Sequence, residues 1–205
     1  MFEIHDGDLS KQAYQALQTE SLIACDTETS GLNWKTDSLG LVQFFGEQSG
    51  AHLVKVRSEV TAVRICQLIE SRSTRKVFHH APFDLAFMTA TWGANARNCV
   101  CTKIASKILW AGEEAEHSLQ ALLMRVLGVQ LNKGTVRTSN WLDQNLSPEQ
   151  LAYAAKDVEH LIPLVRILEK GLASNQKLDL YLECCAFLPT RAKLDQLMLN
   201  DIFSY

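Results

Sequence analysis

Up to about residue 101, short apolar runs of strand length alternate with helical stretches. Beyond it the apolar residues recur only at helical spacing. Phe2 to His5 reads as a first short strand. Asp8-Leu9-Ser10 reads as a helix start, followed by Lys11 to Thr19. Leu22 to Asp26 is a buried strand, and Gly31-Leu32-Asn33 opens a turn. Leu39 to Phe45 and Ala51 to Val56 are two further strands, joined by the polar turn at 46–50, so that the three suggest an antiparallel meander. Val60 to Ser71 carries its apolar set (Val60, Val63, Ile65, Leu68, Ile69) on one helical face. Strands over Arg75 to His79 and Asn98 to Cys101 flank a helix that has Pro82 in its first turn and runs to about Trp92. Helices follow over Thr102 to Trp110, Ser118 to Leu127 and Ser147 to Gly171. The last begins with the capping sequence Ser147-Pro148-Glu149-Gln150. Strands that meander and then alternate with helices give a mixed sheet covered by helices, α/β or α+β.

The 205 residues suit one domain with a small C-terminal appendage. The appendage, from Lys177 onward, reads as one more helix and a tail. That tail is rich in Phe187, Leu188, Leu194, Leu197, Met198, Leu199, Ile202 and Phe203, too apolar to stay solvated, so it packs on its own domain or on a partner subunit. No apolar run approaches the ~18–20 residues that cross a bilayer. The start Met1-Phe2-Glu3-Ile4-His5-Asp6 lacks the regions of a secretory signal. A cytoplasmic protein without membrane contact is expected. None of the six cysteines forms a C-x-x-C pair, which argues for buried reduced thiols rather than a zinc ribbon. The net charge of −3, with no Lys/Arg run, argues against a grip on long nucleic acids. Acids that bind divalent ions distort that count, and a small phosphate ligand held by metal needs no basic surface.

Three strings carry the chemistry. Asp26-Thr27-Glu28-Thr29 ends an apolar run, and on a strand Asp26 and Glu28 share a face. Tyr153-Ala154-Ala155-Lys156-Asp157 lies in a helical pattern that stacks Tyr153 on Asp157. Val77-Phe78-His79-His80-Ala81-Pro82-Phe83-Asp84 places a further acid near a helix start. An acid pair at the end of a buried strand is costly without a purpose, and clustered carboxylates repel unless a cation joins them. Four carboxylates and a phenol that converge would hold Mg²⁺ or Mn²⁺, two ions per site, for phosphodiester hydrolysis. In that reading Asp26 bridges both ions. Glu28 and Asp157 hold the ion that binds the attacking water, Asp84 supports the second ion, and the Tyr153 hydroxyl orients the water.

In this order and spacing the strings resemble the DEDD superfamily of 3′→5′ exonucleases, in its Tyr-containing, ribonuclease D-like subgroup. His117-Ser118-Leu119 through Leu127-Gly128-Val129-Gln130-Leu131-Asn132-Lys133, with Ser139-Asn140-Trp141, is similar to the segment such proteins carry between their second and third motifs. The resemblance implies an α/β, ribonuclease H-like fold: a mixed five-stranded sheet flanked by helices, with a C-terminal helical tail. It implies an exonuclease domain over 1–175 and a subunit-contact tail over 176–205. Cys101-Thr102-Lys103-Ile104-Ala105-Ser106-Lys107, Phe187-Leu188-Pro189-Thr190-Arg191-Ala192 and Asp201-Ile202-Phe203 resemble a compact bacterial subfamily, nanoRNase C. That likeness implies hydrolysis of very short RNAs, diribonucleotides above all, to 5′-mononucleotides, and self-association into an octamer. The alternative is a general ribonuclease D-like trimming of tRNA precursors, structured RNA or DNA. A binding module that kept the fold would be expected to lack one of the acids, and none is missing.

The resemblance also points to substrate-binding residues. Thr27 and Gly31 flank the first motif, and Leu32 either wedges between bases or is a core leucine beside a turn. His79 and His80 are structural hydrogen-bonders or site residues, and Phe83 stacks on a base or belongs to the core. Lys103, Ser106 and Lys107 cap a 5′-phosphate or form a solvated helix face. Lys133, Arg137 and Ser139 come from a polar loop placed to line the substrate path.

Overall fold

In a computed structural model, residues 2–130, 139–143, 145–199 and 202–204 are described. Strands β1 (Phe2–Asp6), β2 (Leu22–Thr29), β3 (Leu39–Gly46), β4 (Gly50–Lys55), β5 (Arg75–Phe78) and β6 (Cys99–Cys101) form one sheet in the order β1-β4-β3-β2-β5-β6. The expected count of five is corrected to six, because β1 adds to the edge in parallel with β4. The meander is present as antiparallel β2-β3-β4, while β5 and β6 continue the sheet in parallel with β2.

The helices are α1 (Lys11–Thr19), α2 (Val63–Glu70), α3 (Ala81–Trp92), α4 (Thr102–Leu109), α5 (Leu119–Leu127), α6 (Pro148–Glu159), α7 (Leu161–Ser174), α8 (Leu178–Ala186) and α9 (Leu188–Gln196). Local chemistry sets their ends. Ser10 accepts from the Ala13 amide, Ser118 from the Ala121 amide, and Ser147 and Gln150 complete a capping box on α6. The cap of α2 comes from far away: the Asp8 carboxylate accepts the Arg64 and Ile65 amides at 3.0 and 3.1 Å. Helix α2 accordingly begins at Val63 rather than Val60.

The single helix expected over Ser147 to Gly171 is two, broken at His160. Pro163 explains the break, since its ring would meet the carbonyl of Glu159 in a continuous helix. Pro189 likewise separates α8 from α9 where one helix was expected. Among the described residues no helix is long and apolar enough to cross a membrane.

Two apolar layers hold the sheet. The larger gathers Leu17, Ile23, Cys25, Phe44, Val54, Leu68 and Phe78 with buried faces of α3, α4, α7 and α8. The smaller lies between α6 and the other face of β3 and β4, and contains Leu41, Leu53, Trp141, Leu151 and Ala154. Helix α8 packs on β6 and α4, and α9 packs on α3, with Gln196 Nε2 donating to the Ala86 carbonyl at 3.1 Å. All six cysteines are free thiols, four of them buried.

Candidate active site

The acidic strings meet at the C-terminal end of β2, beneath α6. Asp26 pairs across the sheet with Gln43, and Gln43 with Leu53, so Asp26 lies on the face that α6 covers. Glu28 follows on the same face two residues on. From α6, Asp157 reaches down: ligand oxygens of Asp26, Glu28 and Asp157 all lie within 4.8 Å of one another. Asp84, in the first turn of α3, stands beside this trio and outside that radius. Its Oδ1 accepts from the Thr27 hydroxyl at 2.6 Å, so the residue between the two β2 acids holds the fourth.

The electrostatics of the group are unfavourable as it stands. Burial, then the charges of Asp84, Glu28 and Asp157, push the Asp26 carboxyl well above the ordinary range. Burial also pushes Asp84 up to about 7, against the Thr27 hydroxyl and backbone amides that favour its charge. Such a donor set of hard oxygens fits Mg²⁺ or Mn²⁺. Tyr153 is one turn before Asp157, its ring 6.1 Å from that of Trp141. Burial, the Asp157 charge and a hydrogen bond to Asp157 raise its phenol far above the usual range, with Glu28 and Asp26 adding to the effect. The hydroxyl therefore stays protonated and is a hydrogen-bond donor, not a base.

The expected substrate residues separate into three groups. Leu32 is no core residue: it is 86% exposed. The turn that presents it closes tightly, because the Asn33 amide donates to Asp37 Oδ2 at 2.8 Å and a Cβ on Gly31 would sit 2.4 Å from that oxygen. Leu32 and Phe83 border a hollow of about 470 Å³ with Thr27, Glu28, Gly31 and Ser139. The same two residues border an adjoining hollow of about 210 Å³ with Trp34, His80 and Arg191. Phe83 also packs at a tilt against Phe87, ring centroids 4.9 Å apart, so it serves the core and the cleft together.

His80 caps α3 in the left-handed conformation (φ +78°), uncommon outside glycine, which turns the chain from β5 into the helix. Partial burial and the charges of Lys103 and Lys107 hold its imidazole below the usual range. Both lysines lie on α4, Lys103 in its first turn and Lys107 in its last, within electrostatic reach of His80. Ser106 faces inward instead: fully buried, it donates to the Lys103 carbonyl and meets His117 Nδ1 at 3.0 Å. Its hydroxyl is thus engaged within the fold, between α4 and His117. His79 is bound through Nδ1 to the Thr102 hydroxyl at 2.9 Å, a structural contact. Lys133 and Arg137 lie outside the described residues.

Three residues near the site were not singled out from sequence. Gln43 is fully buried opposite Asp26, and its amide atoms have no hydrogen-bond partner among the described residues. A glutamine inside the apolar run Leu39 to Phe45 was the available signal. Trp34 had none, and Arg191 stood only within the tail string Phe187 to Ala192. Arg191 reaches the cleft only because α9 packs on α3, and it is held there by Asp195 at 2.8 Å.

Comparison with known proteins agrees with this geometry. Ribonuclease D of Haemophilus influenzae is 33% identical over 160 residues, covering 77% of this chain and 39% of its own. The chain thus spans about two fifths of that relative's length. The structure of Brucella melitensis NrnC bound to pGG superposes with a TM-score of 0.91 at 32% identity, covering 100% of this chain and 98% of the other. Brucella melitensis NrnC with bound Mg²⁺ superposes equally well, with a TM-score of 0.91. The 3′-5′ exonuclease family matches residues 1–173, and with these relatives it establishes that the chain is a member of that family, of the compact ribonuclease D-like kind.

Proposed function

We propose that this protein is a metal-dependent 3′→5′ exoribonuclease that hydrolyses very short RNAs, preferentially diribonucleotides, to 5′-mononucleotides by a two-metal mechanism. The observation that carries it is the convergence of Asp26, Glu28 and Asp157 within 4.8 Å at the mouth of the Leu32–Phe83 cleft. Asp26, Glu28 and Asp157 would hold the ions, with Asp84 behind them. When bound, the ions supply an activated water, a neutralised phosphate and a stabilised leaving oxygen. The chain's own groups do the rest. Thr27 fixes Asp84, the Tyr153 hydroxyl beside Asp157 is placed to orient the attacking water, and Leu32 and Phe83 offer apolar faces to the bases.

Preference for short substrates follows from the second hollow. Lys103 and Lys107, whose charges act on His80 at the border of that hollow, offer a cationic end that suits a 5′-phosphate. Binding of pGG by the Brucella protein supports the same reading. The expected result is that a 5′-labelled dinucleotide is cleaved at least tenfold faster than a 20-mer under Mg²⁺. Equal rates would reject the short-RNA preference and favour trimming of longer RNA.

The protein is further proposed to self-associate, as an octamer. Leu197, Met198, Ile202 and Phe203, beyond α9, remain about half to four-fifths exposed. Light scattering on the full chain and on one lacking residues 197–205 reads this out. The full chain is expected as a multimer and the shortened chain as a smaller species. An unchanged mass would remove the tail from the assembly.

A further inference from the structure

A second cluster of ligating side chains lies on the sheet face opposite the carboxylates. In the parallel pairing of β1 with β4, Glu3 stands across from His52. His5, two residues on from Glu3, shares its face. Leu53 belongs to the face of Asp26, so its neighbour His52 points away from α6. The register alone thus brings two imidazoles and a carboxylate together. His5 Nε2 and His52 Nδ1 are 3.1 Å apart, and Glu3 Oε2 is 3.8 Å from the first and 3.6 Å from the second.

We infer that Glu3, His5 and His52 form a binding site for a late transition-metal dication, Zn²⁺ by preference, that ties the edge strand β1 to β4. The carboxylate distances are too long for hydrogen bonds. All three separations bracket the roughly 3.3 Å between two ligands of a tetrahedral ion with bonds of about 2.0–2.1 Å. Two imidazoles with one carboxylate are a familiar zinc donor set with the fourth position left to water. Imidazole selects zinc, copper and nickel, whereas the all-oxygen set beneath α6 selects magnesium and manganese, so ligand chemistry keeps the two sites distinct.

His52 is 2% exposed, and the ring nitrogen it turns to this cluster is Nδ1. Burial holds both imidazoles below their usual range, against the opposing charge of Glu3 on each and of Asp8 on His5. They are neutral, and able to ligate, at pH 7. Because β1 is an edge strand whose five residues are exposed or only half-buried, an ion bridging it to β4 fastens a segment that the core holds weakly.

The test is titration of Zn²⁺ into protein saturated with Mg²⁺, followed by calorimetry and thermal melting, with Cu²⁺ and pulsed EPR to detect imidazole nitrogen. One equivalent of Zn²⁺ is expected. Melting should rise by roughly 5–10 °C at a hundredfold excess over Kd, and two coupled imidazoles should appear. Glu3→Gln changes a side chain that is 66% exposed and so leaves the fold intact. It is expected to weaken Zn²⁺ at least about tenfold, the least that losing even an outer partner costs, with unchanged RNA cleavage. His5→Gln should remove one imidazole coupling, and Asp26→Asn should remove none. Absence of Zn²⁺ uptake by the Mg²⁺-saturated protein would overturn the assignment. So would uptake of undiminished affinity in both Glu3→Gln and His5→Gln. His52→Gln extends the series, and if it fails to fold the other two variants decide.

Discussion

Asp26→Asn is expected to lower cleavage of a dinucleotide by at least about 10³-fold while making the metal-free protein more stable at neutral pH. Asp26 lies at the centre of the acidic group, within reach of Glu28 and Asp157 and electrostatically linked to Asp84. Replacing it removes the carboxylate at the centre of the proposed metal site. A Lewis-acid contribution of several kcal/mol, at about 1.4 kcal/mol per tenfold, sets the scale of the loss.

The stability effect has the opposite sign. Burial and three neighbouring acids raise the folded-state pKa of Asp26 above its unfolded value. The folded protein then binds the proton more tightly than the unfolded chain does. Below the unfolded value of about 4 both states are protonated and nothing is lost. As pH rises past it, the unfolded chain ionises first and the metal-free fold is progressively destabilised. Asparagine is immune to this and keeps the shape. In EDTA at pH 7 the variant should melt at least about 3 °C above the parent, the shift that ~1 kcal/mol gives in a chain of this length. At pH 4 the gap should close, and Mg²⁺ should raise the parent more than the variant. Cleavage within tenfold of the parent would remove Asp26 from the metal site. A variant no more stable at pH 7 than at pH 4 would deny the repulsion among the acids.

The acids were legible in sequence because the costs they impose are local. Asp-x-Glu closing Leu22 to Cys25 and Tyr-x-x-x-Asp on α6 fix relative orientation through the periods of strand and helix alone, and the folded chain brings those faces together. Other features depended on contacts between distant segments. The Asp8 cap on α2 joins residues 56 and 57 positions apart. Phe2 to His5 was readable as a strand, but nothing in it specified the parallel pairing with β4 that makes the sheet six-stranded. The break at His160 was readable from Pro163, yet the apolar periodicity runs straight through it and favours one long helix. Leu32 shows the limit most plainly. A leucine beside a turn is ambiguous in sequence, and only the closure of Gly31 onto Asp37 turns it outward. Ser106 shows the reverse, a polar residue on a helix whose hydroxyl is directed inward by His117 and the Lys103 carbonyl.

Tyr153→Phe separates the phenol's chemistry from its packing. The ring contact with Trp141 survives the change, since only the oxygen is lost. If the hydroxyl orients the attacking water, kcat should fall on the order of 10²-fold, the lower end of what a positioned proton-handling group contributes. KM and the Mg²⁺ requirement should hardly move, because Asp26, Glu28 and Asp157 remain. The pH profile carries the sharper distinction. Burial and the nearby carboxylates raise the phenol's pKa, so it is protonated throughout the range in which the enzyme can be assayed. The ratio of parent to variant rates should therefore stay flat from pH 6 to 9. A phenolate acting as base would instead give a parent that gains on the variant as pH rises through that interval. A flat, large ratio identifies a donor that positions water, and a ratio near one would leave Tyr153 with packing alone.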